Sequence, residues 1–472
     1  MMMLSRRRTL RLIKEQMRED PPRAERLADE DARFEERRRH RRRRHRGAAV
    51  ASAVAVVVVV AAAAAAMRCS CTTRLCDAKR SSSFQFIQKR KRGLLDTFRT
   101  PNQEKRERER EREKATIATP SPPSSLIMTT SFVEELKATC AKLSQKGKGV
   151  LAADESTGTI GKRFQSIDVE NVEENRRFWR ETLFEAKDVE KYISGVILFE
   201  ETLYAKTEDG TQRLTEILTK NDIVPGIKVD KGATIQVGKD GDGETDTNGM
   251  DGLGDRCKEY YKAGARFAKW RAVLKIDVEK ALPSADAVEA NAKSLARYAK
   301  ICQENGLVPI VEPEIVPDGG HDVEVSRTVT KGVLTKVFEH LKKENVSLEL
   351  MVLKPNMVTP GSGNEESEKD DLKVAEYTNE VLLECVPETV PAILFLSGGQ
   401  SEDAASRRLN LMHKLQKESG KAFPWTLSYS YGRALQASAL KAWSGDNGNA
   451  SKAQEAFIEK AKSCSLASLG EL

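Results

Sequence analysis

Two lysines occupy stretches whose neighbouring residues are largely apolar. Lys269 lies in the sequence FAKWR, and Lys354 lies in MVLKPN. A buried charge of this kind is costly unless it is paired. Lysines that are accompanied by acids, but by no cofactor motif, favour covalent amine catalysis, in which a neutral amine adds to a ketone and forms an iminium. We therefore predict that Lys354 is the nucleophile and that Lys269 is a second cation that lowers the pKa of Lys354.

Other charged residues stand at the ends of predicted strands. The amine route needs a carboxylate that takes a hydroxyl proton when an aldehyde is released, and strand order places Glu312, in VEPE, for this role. An alternative interpretation is that the charges only neutralise one another as a structural network, although a purely structural interior would use Val, Ile and Leu. The charged residues at these ends are Asp154, Lys228, Asp230, Lys269, Arg271, Glu312, Glu314 and Lys354.

Two glycine-containing segments near the C-terminus predict a phosphate site. SGG at residues 397–399 follows one predicted strand, and SYGR at residues 430–433 follows the next. Glycines let backbone N–H groups approach an anion, and an arginine binds it through a planar fork. STGT at residues 156–159, followed by Lys162 and Arg163, is a candidate for a second anion site. By itself, STGT is equally a helix N-cap.

Eight apolar runs with amphipathic stretches between them predict the elements that hold these residues. Strands that alternate with helices favour a parallel sheet, and eight units in the 345 residues from Met128 onward fit an α/β fold of the (β/α)8 TIM barrel type. In such a barrel, the chemistry lies where strands end and loops begin. An open doubly wound sheet is the alternative, but no Gly-rich dinucleotide motif follows the first strand. The predicted strands are Gly149–Asp154, Gly195–Phe199, Pro225–Asp230, Arg266–Leu274, Leu307–Ile315, Leu348–Val358, Pro391–Ser397 and Thr426–Tyr431, and the predicted helices include Asn171–Lys187, Ser284–Asn305, Glu324–Glu344 and Ser401–Lys417.

Histidines and cysteines of this region do not predict a metal site. Its three histidines, His321, His340 and His413, are not spaced i, i+3 or i+4, as a zinc site of two or three imidazoles would favour. Its five cysteines have no short repeated spacing and are interpreted as reduced thiols of an intracellular enzyme. We expect no metal and no cofactor.

Charge divides the chain into a basic extension, residues 1–127, and a mildly acidic body, residues 128–472. The extension has 32 Lys and Arg against 16 Asp and Glu, whereas the body has 46 against 55. A nucleic-acid-binding domain is expected to have a basic field, so the body is not expected to bind nucleic acid. The extension contains RRRRHR, EKREREREREK and PSPPSS, and we predict that it is largely disordered.

An apolar run within the extension, Ala48–Met67, leaves its role open. The run consists of eleven Ala, seven Val, one Ser and one Met, which is long enough to span a bilayer, although alanine contributes little to insertion. Arg-rich, Ser-containing stretches in Arg68–Arg92 resemble a transit peptide. Organelle targeting, a membrane anchor and translation that starts at Met128 are the three interpretations. The expected location is the cytoplasm, or a plastid or other organelle.

Nine stretches of the body, between about Phe132 and Leu469, occur together in one enzyme family. They are LAADESTGTIGKR, EENRRFWRETLF, GVILFEETLY, GIKVDKG, RFAKWRAVLKI, GLVPIVEPEI, LKPNMVTPG, FLSGGQSE and SYGRALQASALKAW. With them, the body resembles class I fructose-bisphosphate aldolase, the Schiff-base type. The resemblance implies reversible cleavage of D-fructose 1,6-bisphosphate to dihydroxyacetone phosphate and D-glyceraldehyde 3-phosphate, in glycolysis, gluconeogenesis or the Calvin cycle. It also implies a homotetramer that acts on sugar phosphates without a metal.

The resemblance also implies a role for each matching residue. Lys354 would form the Schiff base, and Glu312 would be the general acid and base, with Glu314 beside it. Asp154 would orient the cleaved hydroxyl, and Lys269 would assist at the carbinolamine step. The phosphate nearest the ketone would be bound by Ser397, Gly398, Gly399, Ser430, Gly432 and Arg433. The distal phosphate would be bound by Ser156, Thr159, Arg163 and Lys228, with Lys162 and Arg271 as further candidates for substrate binding.

The sequence departs from the family pattern in two places. The family commonly has Glu-Gly before the catalytic lysine, where this chain has Glu349-Leu350. The family continues into a mobile tail that ends in tyrosine and assists protonation of the enamine, whereas this sequence stops at Leu472. We therefore expect cleavage to survive and protonation to slow. A transaldolase-like Schiff-base enzyme and a catalytically inactive scaffold are the alternative functions.

Overall fold

A computed structural model describes residues 130–238, 242–365 and 370–472 of the chain. The disorder predicted for residues 1–127, and the apolar run within them, lie outside these described residues. Within the described part, no helix combines the length and the apolar character needed to cross a membrane.

Eight parallel strands form a barrel. In chain order, the strands of the described residues are β1 (Gly149–Ala153), β2 (Ile193–Leu198), β3 (Val224–Lys228), β4 (Ala233–Gln236), β5 (Thr245–Thr247), β6 (Phe267–Lys275), β7 (Val308–Val316), β8 (Val352–Leu353), β9 (Ala392–Phe395) and β10 (Thr426–Tyr429). All except β4 and β5 join one sheet in the order β1, β2, β3, β6, β7, β8, β9, β10. Its edges meet where Ala152 N donates to Tyr431 O at 2.9 Å and Ser428 Oγ donates to Lys148 O at 2.7 Å. The predicted (β/α)8 barrel is confirmed, and the open doubly wound sheet is wrong.

Helices cover the outside of the barrel. The four helices predicted from amphipathic stretches are present, and three of them match within one residue at each end. Ser284, Asp322 and Ser401 each cap a helix by accepting a backbone N–H bond, which explains where those helices begin. The helices are α1 (Thr130–Leu143), α2 (Thr157–Gln165), α3 (Glu173–Phe184), α4 (Glu200–Tyr204), α5 (Leu214–Lys220), α6 (Leu253–Lys262), α7 (Ala285–Glu304), α8 (Val323–Lys343), α9 (Asp371–Cys385), α10 (Glu402–Glu418), α11 (Arg433–Trp443) and α12 (Ala450–Ala467).

One predicted strand is much shorter than expected. Of Leu348–Val358, only Val352–Leu353 pairs as β8, and a 3-10 turn at Leu348–Leu350 precedes it. Lys354 N still donates to Val311 O at 2.8 Å, but Pro355 has no N–H to continue the ladder. Lys354 therefore lies where the chain leaves the sheet.

The strands β4 and β5 form a separate antiparallel hairpin between β3 and β6. The sequence does not predict this hairpin, because the glycine-rich polar residues around it are typical of a loop. Asn291 Nδ2 donates to Thr245 O at 2.9 Å, and Ser294 Oγ donates to Asp246 Oδ2 at 2.6 Å. These bonds hold the hairpin against α7.

The interior of the barrel is apolar at one end and charged at the other. At the apolar end, Leu136 and Leu143 of α1 belong to the same buried cluster as Val150 and Phe267. Each of the three central charged residues lies two positions beyond a residue of that cluster. Side chains of a strand alternate between faces, so residues i and i+2 point the same way, and the charged side chains face the interior as well. The pairs are Phe267 and Lys269, Ile310 and Glu312, and Val352 and Lys354.

Candidate active site

Lys269 lies at the centre of the charged end of the barrel. Its Nζ is 2.7 Å from Asp154 Oδ2, 3.2 Å from Glu312 Oε2 and 3.9 Å from Asp230 Oδ2. The lysine comes from β6, and the carboxylates come from β7 and from the ends of β1 and β3. The structure thus brings together the charged strand ends that the sequence singles out.

Lys354 contacts the same carboxylate from the other side. Its Nζ is 2.9 Å from Glu312 Oε1, and its side chain is only 4% exposed. The residues before it, Met351, Val352 and Leu353, are all buried. The site therefore presents an amine, with one carboxylate partner, in surroundings from which water is largely excluded.

Burial and charge have opposing effects on the titration of this cluster. Burial alone would lower the pKa of Lys269, but Asp154, Glu312 and Asp230 outweigh it and raise that pKa above its ordinary value. Burial alone would raise the pKa of Asp154, but the nearby lysines, Lys269 above all, lower it. The pKa of Glu312 is lowered in the same way, against its burial, by Lys269 and then Lys354. At neutral pH, Lys269 is therefore a fixed cation beside two ionised carboxylates.

Two other predicted residues form ion pairs near this cluster. Arg271 pairs through Nε with Glu314, and its side chain is partly exposed. Lys228 Nζ donates to the backbone O of Asp230 at 2.8 Å and to its Oδ1 at 2.5 Å. Asp230, to which sequence analysis gives no catalytic or binding role, thus joins Lys228 to the group around Lys269.

The residues predicted to bind the near phosphate lie in two loops. Residues 397–399 follow β9 and residues 430–433 follow β10, which pairs with β9. Gly399 has a φ of +79°, in the region that glycine favours. Ser430 Oγ is buried without a hydrogen-bond partner among the described residues, and the exposed Arg433 begins α11. An unpartnered hydroxyl beside a helix N-terminus is suited to an anion.

Three of the four residues predicted for the distal phosphate lie on or beside α2, whereas Lys228 ends β3. Ser156 caps α2, and its hydroxyl is 3.1 Å from that of the exposed Thr159. Arg163 lines a cavity of about 120 Å³ together with Arg433. Lys162 lines a different, open groove. Of these two cations, Arg163 is therefore the one that shares a cavity with Arg433, the first residue of α11.

Three buried polar residues behind Arg163 are missed by sequence analysis. Glu155 pairs with Arg163 through one oxygen and with Arg180 through the other. Gln436 Nε2 donates to Glu155 Oε1 at 3.1 Å and to Ala152 O at 2.9 Å. The arginine between apolar residues in FWRETLF, residues 178–184, is a signal in the sequence from which this network could have been predicted.

Two histidines of the body make separate local contacts. His340 Nε2 is 2.8 Å from Glu289 Oε1, and His413 Nε2 is 2.9 Å from Leu427 O. His321 is buried in the loop after β7. In the part of the chain that the structure describes, no group of His, Cys, Asp and Glu is arranged to hold a metal ion.

Comparison with known proteins identifies relatives along the whole barrel. A family model described as fructose-bisphosphate aldolase class-I matches residues 135–472. Fructose-bisphosphate aldolase 6, cytosolic, of Arabidopsis thaliana is 56% identical over 342 residues, which are 72% of this chain and 92% of that protein. The cytoplasmic isozyme of Spinacia oleracea is 54% identical over 341 residues, again 72% of this chain and 92% of the relative.

A solved structure agrees with these relatives. Fructose-bisphosphate aldolase from Plasmodium falciparum, crystallised in complex with TRAP and a small-molecule inhibitor, is 50% identical and superposes with a TM-score of 0.69. The match covers 72% of this chain and 96% of that one. The fold, the family model and the identities lead to one conclusion: the chain belongs to the class I fructose-bisphosphate aldolase family.

Proposed function

We propose that Lys354 forms the Schiff base through which this chain cleaves D-fructose 1,6-bisphosphate, reversibly, into dihydroxyacetone phosphate and D-glyceraldehyde 3-phosphate. The observation that carries the proposal is the line of contacts from Lys354 through Glu312 to Lys269 and Asp154. It supplies a nucleophilic amine, a proton carrier, a fixed cation and a second carboxylate in one buried place. Family membership supplies the overall reaction, that of a lyase.

The first half of the reaction joins the amine to the ketone. Lys354 attacks the C2 carbonyl carbon, and Glu312, 2.9 Å from Nζ, takes the proton that the amine loses. The pKa of Lys269 is raised, so Lys269 keeps its charge beside the reacting groups. Glu312 returns that proton to the carbinolamine oxygen, and a second proton from solvent lets the oxygen leave as water, while the charge of Lys269 assists. An iminium remains on Lys354, and Glu312 is again a carboxylate.

The second half breaks the C3–C4 bond. Asp154 orients the C4 hydroxyl, and Glu312 accepts its proton as the C4 aldehyde forms. The electron pair of the broken bond moves into the iminium and gives an enamine, while the three-carbon aldehyde departs with the distal phosphate. Protonation of the enamine at C3, followed by hydrolysis of the iminium, releases dihydroxyacetone phosphate and returns the free amine of Lys354.

Phosphate groups at both ends of the substrate fix its position. The near phosphate is bound by the segments 397–399 and 430–433, a proposal supported by the unpartnered hydroxyl of Ser430 and the helix start beside it. The distal phosphate is bound by Arg163, Ser156, Thr159 and Lys228. The partial exposure of the Arg163 side chain, 24%, leaves it accessible to such a phosphate. Lys162 and Arg271 are assigned to substrate binding on the sequence alone.

The enzyme assay tests the proposal. Purified protein is expected to convert the bisphosphate to equal amounts of the two triose phosphates, without added acceptor and in the presence of a chelator. Lys354→Met is expected to lose most turnover, because no second amine is aligned to replace it. Lys258→Met, which changes an exposed lysine paired with Asp255, is the control and should retain activity.

Two other outcomes of this assay would contradict the proposal. Transfer of the three-carbon ketose fragment to an added acceptor aldehyde, without its release as a free triose, would identify a transaldolase-like enzyme. Absence of product under every condition would identify an inactive scaffold.

We also infer that the barrel acts as a homotetramer, and light scattering on the purified chain measures this directly.

The plant relatives are named cytosolic or cytoplasmic, which supports a cytosolic site of action for the barrel. The role of residues 1–127 is tested by fusing them to a fluorescent protein. A targeting segment would carry the fusion to an organelle, whereas a diffuse signal with native peptides that start near Met128 would support translation from that methionine.

A further inference from the structure

Glu155 is a buried carboxylate that two arginines share. One of its oxygens pairs with Arg163 Nη1 and the other with Arg180 Nη2. Arg163 lies on α2 beside the cavity that it shares with Arg433, and 24% of its side chain is exposed. Arg180 lies on α3 and is 3% exposed. Arg163 can therefore turn toward a ligand, whereas Arg180 is enclosed.

Gln436 fixes Arg180 and Glu155 from a third side. Its Oε1 accepts from Trp179 Nε1 at 3.2 Å and from Arg180 Nη1 at 3.3 Å. Its Nε2 donates to Glu155 Oε1 at 3.1 Å and to Ala152 O at 2.9 Å. An amide group has two N–H donors and one oxygen with two lone pairs, so all of its bonding positions are used. The pair of Arg180 and Glu155 is thus held in one arrangement.

A phosphate that recruits Arg163 must compete with Glu155 for it. If Arg163 were the only cation on Glu155, its departure would leave a buried carboxylate unpaired, which is strongly unfavourable. Arg180 and Gln436 remain on Glu155 after Arg163 moves, so the carboxylate keeps a cation and an N–H donor. Arg180 therefore lowers the free-energy cost of transferring Arg163 from the protein to the substrate.

We propose that Arg180 is a positioning residue that keeps Arg163 available to the distal phosphate of the bisphosphate. The inference rests on the proposed binding of that phosphate by Arg163. Arg180 acts through Glu155 and does not itself contact the substrate.

Kinetics with two ketose substrates distinguish this positioning role from a general contribution of Arg180 to protein stability. D-fructose 1-phosphate lacks the distal phosphate, so only D-fructose 1,6-bisphosphate should respond to the change. In Arg180→Met we expect the KM for the bisphosphate to rise about tenfold, equivalent to about 1.4 kcal/mol. The KM for the monophosphate and both kcat values should stay close to those of the unaltered enzyme. Arg177→Met, which removes an arginine paired with Glu181 on the same helix, is the matched control and should change neither KM.

A second substitution supplies a rescue that a merely structural role would not show. Glu155→Gln in the Arg180→Met background removes the charge that holds Arg163, so the KM for the bisphosphate should return toward that of the unaltered enzyme. If Arg180→Met does not fold, Arg180→Lys is the alternative variant. It keeps a cation on Glu155 but loses the planar fork that also contacts Gln436, so it should raise the KM for the bisphosphate by a smaller factor.

Two results would overturn the proposal. One is a rise in KM that affects both ketoses alike, and the other is a double variant no better than Arg180→Met. Either result would show that Arg180 has only a structural role. An unaltered enzyme that cleaves neither ketose would instead contradict the proposed function, so the two failures are distinguishable.

Discussion

Replacement of Lys269 by methionine fills a similar volume but removes the cation that three carboxylates surround. The lysine lies 2.7 Å from Asp154, 3.2 Å from Glu312 and 3.9 Å from Asp230. Removing one partner of a buried ion pair typically costs about 3–5 kcal/mol, because the other charge stays buried and uncompensated. We expect Lys269→Met to lower the free energy of unfolding by about this amount at neutral pH.

The size of that loss should depend on pH. In the unaltered protein, the pKa values of Asp154 and Glu312 lie below their ordinary values, so these groups contribute stability above the unfolded pKa and lose it as the pH falls through the folded pKa. Without Lys269, the cation that lowers both pKa values most is absent, so both pKa values rise relative to those of the unaltered protein, although Lys354 still opposes burial. The stability that the ionised carboxylates contribute above the unfolded pKa is therefore smaller in the variant. The difference between variant and unaltered protein should therefore be largest near neutral pH and shrink toward about pH 4.

Urea unfolding followed by tryptophan fluorescence at a series of pH values measures this difference. Lys258→Met is the control, because its exposed pair with Asp255 should be worth less than about 1 kcal/mol at every pH. A loss for Lys269→Met that is independent of pH, or no larger than that of the control, would refute the argument that Lys269 neutralises the buried carboxylates.

Three further substitutions test individual parts of the site. Arg433→Lys keeps the charge but loses the planar fork, so steady-state kinetics should show a KM for the bisphosphate raised by the equivalent of about 1–3 kcal/mol, and an unchanged KM would place the phosphate elsewhere. Gly399→Ala places a Cβ 2.8 Å from Pro317 Cγ, at a φ of +79° that side-chain-bearing residues rarely adopt. The melting temperature should therefore fall and the KM for the bisphosphate should rise, and unaltered values would contradict the claim that this position requires glycine. Glu312→Gln removes the carboxylate beside Lys354, and kcat should fall about 10²–10⁴-fold; an unaffected kcat would exclude Glu312 as the proton carrier.

Local pattern was enough to predict the charged end of the barrel. Lys269 and Lys354 are conspicuous because they interrupt apolar runs, and the alternation of strand residues places both on the inner face. Closure of the barrel, a tertiary property, then brings them onto the two oxygens of Glu312. The sequence indicated this convergence because parallel strands end at a common edge.

Other parts of the site depend on contacts that local pattern does not show. Glu155 meets Arg180 25 residues away and Gln436 281 residues away, and neither separation leaves a periodic signal. Lys162 and Arg163 are adjacent in the sequence, but neighbouring helix residues point about 100° apart, and Lys162 lines a different groove from Arg163. The early end of β8 follows from Pro355, which has no N–H, whereas the apolar run alone predicts a longer strand.

The most direct test of the account is to trap the covalent intermediate. Borohydride is added to the enzyme together with dihydroxyacetone phosphate, and the peptides are then mapped by mass spectrometry. If Lys354 forms the Schiff base, activity is lost and one peptide is labelled, which contains the sequence LKPN with the reduced adduct on Lys354. Retained activity without label, or a label on Lys269 or another lysine, would contradict it.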